Sequence, residues 1–194
     1  MRQRRINFVL KLLLGFLTLA LILLMLPACG GGEEESTPVA TPASTISLSS
    51  TAFRDTESIP VKYTCSGQNI SPPLAWNAPP KSSQSLVFMM LDLDAGEFTH
   101  WILFNLPSVV NELPEATSPQ GQLPDSALEG KNSFGKIGYG GPCPPHGNPH
   151  RYQFTLYSLD KSLDLTIGAS KSQILEAMEG HILAQGQLMG TYQR

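Results

Sequence analysis

The residues with chemical potential fall in two short clusters. "GYGGPCPPHGNPHRY" (138–152) carries Cys143, His146 and His150, and "DLDAGEFTH" (92–100) sets two carboxylates ahead of a third histidine. Cys143, His146 and His150 have the types and spacing of metal ligands, and Asp92, Asp94 and His100 would complete a shell. Two features argue against that use. Cys143 has a candidate disulfide partner in Cys65, and His146, between Pro145 and Gly147, reads as an exposed loop residue. No metal is assigned.

An anion pocket suits the same residues better. Gly140 and Gly141 can turn backbone N–H groups toward a negative group. His100 and His150 each open a strand, where an imidazole can donate to a phosphate oxygen, and Tyr152 follows His150 on the same strand face. Asp92 and Asp94 fit such a pocket if they orient a histidine and favour its charged form. They fit equally if they receive the ammonium of a zwitterionic head group. Asp94 also reads as a cap on turn N–H groups. Pro144 and Pro145 withhold donors and fix φ, which makes the loop a stiff wall. His181 reads as a satisfied core or interface histidine.

The surrounding elements are mostly strands. "SLVFMMLDLD" (85–94) is a continuous apolar run, the pattern of a strand buried on both faces. "HWILFNLP" (100–107) is a second, closed by proline. "HRYQFTLYSLD" (150–160) alternates, with His150, Tyr152, Phe154 and Leu156 on one face and Arg151, Gln153, Thr155 and Tyr157 on the other. "SKSQILEAMEGHILAQGQL" (170–188) predicts one late helix, capped by Ser170, with Ile174, Ala177, Met178, His181 and Gln185 on one face. The expected fold is mainly β, an antiparallel β-sandwich with a C-terminal helix.

Three segments divide the chain. Residues 1–28 pair a basic start with a fifteen-residue apolar run, Leu12 to Leu26, and a small residue, the plan of an export signal. Leu26-Pro27-Ala28-Cys29 resembles the lipobox of bacterial lipoproteins, in which Cys29 would carry the lipid. The alternative is an uncleaved anchor, for which the run is shorter than the ~20 residues a spanning helix needs. Residues 29–45, rich in Gly, Glu, Ser, Thr and Pro, read as a flexible tether. Residues 46–194 form one domain. The sequence thus places the protein outside the cytoplasm, held to a bacterial cell membrane by its N-terminal lipid.

Residues 1–28 hold four of the 13 basic residues and none of the 16 acidic ones. The remainder has nine basic against 16 acidic, a net charge of −7, which excludes nucleic acid as a partner. With Cys29 lipidated, Cys65 and Cys143 remain as an even pair in an oxidising compartment. Bridged, they close a loop of about 79 residues, which the chain-entropy model values at roughly 4–5 kcal/mol. Unbridged, they are two thiols in the pocket wall.

No G-x-S-x-G elbow, P-loop, H-E-x-x-H or C-x-x-C occurs. A binding protein without a cofactor is expected, not an enzyme.

Several ordered motifs resemble the phosphatidylethanolamine-binding protein family, in the bacterial branch similar to Raf kinase inhibitor protein. They are "IPVKYTCSGQNISPPLAW", "DLDAG" followed by "HW", "GYGGPCPPHGNPHRY" and "LMGTYQR", spanning Ile59 to Arg194. The resemblance implies a β-sandwich with a small pocket for phosphate-like anions, built from Asp92, His100, Gly140, Pro144, His150 and Tyr152. It implies a small phosphorylated or zwitterionic ligand. It leaves open a secreted protease as an inhibited partner, and a homodimer. One departure stands out: the family's D-P-D-x-P reads Asp92-Leu93-Asp94-Ala95-Gly96, and the lost prolines predict a more mobile rim.

Overall fold

A computed structural model describes residues 44–119 and 121–194. The expected export signal at 1–28, the expected lipid attachment at Cys29 and the expected tether up to residue 43 lie outside the described residues. The last two tether positions do not belong to a tether: Ser44–Thr45 is a strand, β1, and Ile46 behind it is buried.

Eight further strands follow. They are β2 Leu48–Ser49, β3 Leu74–Trp76, β4 Ser85–Asp92, β5 Phe98–Pro107, β6 Glu112–Leu113, β7 Leu128–Glu129, β8 His150–Leu159 and β9 Ile182–Tyr192, with helix α1 at Lys171–Met178. Six form one sheet in the order β1-β9-β8-β4-β5-β7, and three form a second in the order β2-β3-β6. Pairing is antiparallel except between β1 and β9. The mainly β sandwich with one C-terminal helix is the architecture the strand patterns predict.

The layering explains the sequence patterns. Between the two sheets lie Phe88, Met90, Trp101, Leu103, Tyr152, Phe154 and Leu156, together with Leu74 and Trp76 of the smaller sheet. On the opposite face of the large sheet, Val87, Met89, Ile102 and Phe104 pack under Ile174 and Met178 of α1. β4 is central in its sheet and covered on both faces, so all its residues from Ser85 to Met90 are buried. That is why the run is apolar without alternation.

The helix is shorter than the sequence suggests. Ser170 caps it, its side chain accepting from the Gln173 N–H while the Gln173 side chain accepts from the Ser170 N–H. It stops at Met178, and residues from Ile182 onward form β9 beside β8. His181 and Gln185 therefore share no helix face with Ile174. His181 instead bonds Asp160 through Nδ1 at 2.8 Å, half-exposed, so it is not a core histidine.

Candidate functional site

At one end of the large sheet β4 stops while β5 and β8 begin. Register alone brings the chemistry together there: Asp92 lies opposite Phe98 on one side and Tyr152 on the other. A bulge completes the arrangement. Met90 pairs with Trp101 and Leu91 with Thr99, which leaves His100 as an extra residue in β5. Bulges re-aim a side chain relative to its strand. The His100 ring stands edge-on to the Tyr152 ring, with centroids 5.2 Å apart.

Asp92 does two tasks. Its Oδ2 is 2.8 Å from His150 Nδ1, and its Oδ1 accepts from the Asp94 N–H at 3.0 Å, capping a 3-10 turn at Leu93–Ala95. A carboxylate only accepts, so His150 Nδ1 carries a proton and the far nitrogen, Nε2, is left for solvent or ligand. Asp94 is not the cap. It takes the Arg151 N–H at 2.7 Å and the Arg151 guanidinium at 2.8 Å. These bonds hold its carboxyl at about 2, below the ordinary 3.8. Gly96 ends the turn at φ 64°, a conformation open to glycine without strain. So the segment that lacks the family's prolines is fixed by a side-chain cap and an ion pair instead.

His100 is almost fully buried and donates from Nδ1 to the Gly140 carbonyl at 2.6 Å. Burial pushes its pKa below the ordinary value, since the charged ring would lose its hydration. The ring is therefore neutral, with its one proton on Nδ1 and a lone pair on Nε2. It accepts hydrogen bonds at Nε2; it does not donate to a phosphate as the sequence suggested.

The glycine nest is also not formed. The Gly140 N–H donates to the His100 carbonyl at 2.9 Å, and the Gly141 N–H to Asn69 Oδ1 at 2.7 Å. Both donors are spent inside the protein. The reason for glycine at 140 is space: a Cβ would lie 2.7 Å from the Phe134 ring. Phe134 stands edge-on to His100 and to Phe98, at 5.3 and 4.8 Å between centroids. It is 45 % exposed, so this wall of the site is aromatic and open to solvent. Asn132 fixes the turn that carries it, accepting from the N–H groups of Phe134 and Lys136 and donating to the Gly138 carbonyl. Sequence reasoning passed over Phe98 and Phe134. A lone aromatic between Ser133 and Gly135 in a turn was the available signal.

Tyr152 is the unbalanced group. Its hydroxyl is buried with the Asp92 carboxylate and the Cys143 backbone close by, yet it makes no hydrogen bond of good geometry, the one such buried side-chain polar atom among the described residues. Burial and then the Asp92 charge push its pKa up, so it stays a protonated donor. A buried donor left unpaired costs about 1–3 kcal/mol.

Pro144 is buried within the loop, while Pro145 and His146 are exposed. Cys143 is bridged to Cys65, with Cα atoms 5.4 Å apart. With Cys143 bridged and His150 bonded to Asp92, the Cys143–His146–His150 metal set is not assembled. Among the described residues no three His, Cys, Asp or Glu side chains converge as a metal shell requires.

Residues 49–193 match the phosphatidylethanolamine-binding protein family. The chain belongs to that family. It is 48 % identical over 151 residues to a UPF0098 protein of Methanothermobacter thermautotrophicus, covering 77 % of this chain and 99 % of that one. It is 42 % identical over 192 residues to a UPF0098 protein of Pyrococcus horikoshii, covering 96 % and 91 %. Two crystal structures share the fold. CT736 of Chlamydia trachomatis, described as a phosphatidylethanolamine-binding protein homologue, superposes at a TM-score of 0.71 with 43 % identity, over 77 % of this chain and 98 % of its own. Escherichia coli YbcL, described as a new member of the mammalian family, does so at 0.73 with 28 % identity, over 78 % and 99 %.

Proposed function

We propose that this family member is an extracytoplasmic, lipid-anchored binding protein of the bacterial Raf kinase inhibitor-like branch. Its pocket takes a small phosphate-bearing or zwitterionic ligand among Asp92, His100, His150 and Tyr152. The observation that carries the reading is the buried, unpartnered Tyr152 hydroxyl beside the Asp92–His150 pair. A ligand oxygen would satisfy that donor, with the His150 ring held beside it by Asp92. His100 Nε2 adds an acceptor, which suits a ligand with both kinds of group, such as a monoprotonated phosphate or an amino-alkyl phosphate. The lipobox-like Leu26–Cys29 and the apolar run before it support the anchor. The Cys65–Cys143 bridge supports an oxidising compartment.

Titration calorimetry with inorganic phosphate and with phosphoethanolamine tests the pocket. His150→Ala is expected to weaken binding about tenfold or more, the scale of a lost charge-assisted hydrogen bond. Unchanged affinity would remove the assignment. The anchor is tested separately, by the mass of the N-terminal peptide from membrane-extracted protein and its loss in Cys29→Ser.

A further inference from the structure

The Cys65–Cys143 bridge has surroundings that a purely structural crosslink does not require. Cys65 is exposed and Cys143 half-buried. The Arg194 guanidinium lies 3.3 Å from Cys143 Sγ and 3.9 Å from Cys65 Sγ, so it favours the inner sulfur. Both cysteines line a cavity of ≈ 510 Å³, together with Asn69, Ile137, Tyr139 and Lys136. Lys136 Nζ has no hydrogen-bond or salt-bridge partner among the described residues, so this cavity holds an uncommitted cation beside a disulfide.

We infer that the bridge is a thiol-exchange site for a small carboxylate-bearing thiol, which attacks Cys65 and expels Cys143. The external thiolate RS⁻ gives its electron pair to Cys65 Sγ. The Cys65–Cys143 bond breaks, and its electron pair leaves on Cys143 Sγ as a thiolate held by Arg194. The product is a Cys65–S–S–R mixed disulfide with one free thiolate, and no further oxidant or reductant is needed. Two asymmetries set the direction. Approach to Cys65 is from solvent, and the sulfur nearer the guanidinium is the better leaving group. Lys136 and Arg194 receive the carboxylates of the incoming thiol.

The two loops stay joined after exchange. The Cys65 N–H donates to the Pro142 carbonyl at 3.1 Å, Gly141 to Asn69 at 2.7 Å, and the Tyr139 hydroxyl to the Tyr63 carbonyl at 2.6 Å. The reaction thus occurs on a folded protein.

The full chain is incubated with glutathione, quenched with iodoacetamide and mapped by tryptic mass spectrometry, which separates Cys65, Cys143 and Cys29 onto different peptides. The expected result is glutathione on Cys65 and alkylation on Cys143, with the reverse adduct at least about tenfold rarer. Arg194→Gln should slow exchange about threefold or more, since a thiolate without its cation leaves less readily, while Arg194→Lys keeps most of the rate. Glutathione should outpace cysteamine once each rate is divided by that with a free dialkyl disulfide, and Lys136→Glu should remove the preference. No adduct, an adduct shared evenly or placed on Cys143, an unchanged rate in Arg194→Gln, or no preference for the anionic thiol would each overturn the inference.

Discussion

Two aspartate–histidine pairs bracket β8. At its start His150 Nδ1 meets Asp92 at 2.8 Å, and just past its end Asp160 meets His181 Nδ1 at the same 2.8 Å. The contacts are alike in atoms and length, yet their settings differ. The Asp92 and His150 side chains are 4 % and 19 % exposed, those of Asp160 and His181 45 % and 38 %. Only the first pair stands against an unpartnered hydroxyl, at a strand register that points it between aromatic rings. The contact by itself makes no site. Burial makes the first pair costly to break, and the unsatisfied donor beside it makes it useful to a ligand.

That contrast can be broken most sharply at the aspartates. Asp92→Ala strips partners from His150 and from the Asp94 N–H inside the protein, and should cost about 2–4 kcal/mol in urea unfolding. Asp160→Ala removes a solvated pair and should cost under about 1 kcal/mol. Equal losses would mean that the two pairs are equivalent after all. A smaller and opposite effect is expected at Tyr152→Phe. Deleting an unsatisfied buried hydroxyl should stabilise the free protein by about 1 kcal/mol and weaken phosphate binding about tenfold. A stability gain without an affinity loss would leave the hydroxyl as a defect, not a ligand donor.

The smallest effect is a slope. His100 has a lower pKa folded than unfolded, so below the ordinary histidine value the unfolded chain binds the extra proton and the folded one resists it. Stability from this group is thus intact above that value and falls as pH drops below it. Wild-type protein should lose stability between pH 7 and 5 more steeply than His100→Gln, as followed by thermal melting.

How much of this the sequence carried depended on range. The β4 run and the β8 alternation are local patterns, and both strands appear where those patterns lie. The late helix was overdrawn because the inward positions of β9 are Ala184, Gly186, Leu188, Gly190 and Tyr192. Small residues there mute the period-two signal, while Ile174 and Met178 just before it keep a helical one. The four polar site residues were legible because their types are chemically distinctive. Their bonding was not. Gly141 spends its N–H on Asn69, 72 positions away, and His100 spends its proton on Gly140, 40 away. Donor and acceptor accounts close only through such distant partners, so the nest and the donating His100 could not be checked against the sequence. Phe134 escaped for the same reason: its importance lies in the ring it covers, not in its own neighbours.

The central place of β4 has a consequence for biogenesis. Its neighbour β5 follows within the chain almost at once, whereas its other partner, β8, lies beyond a long intervening stretch, with Ser85 opposite Leu159. While the chain is being made or carried, β4 and β5 can pair early, and the far edge of β4 then waits as an apolar strand with open N–H and C=O groups. Such an edge is a template for other chains. The strand that later carries Asp92 into the site therefore keeps one open edge until residue 159 is available.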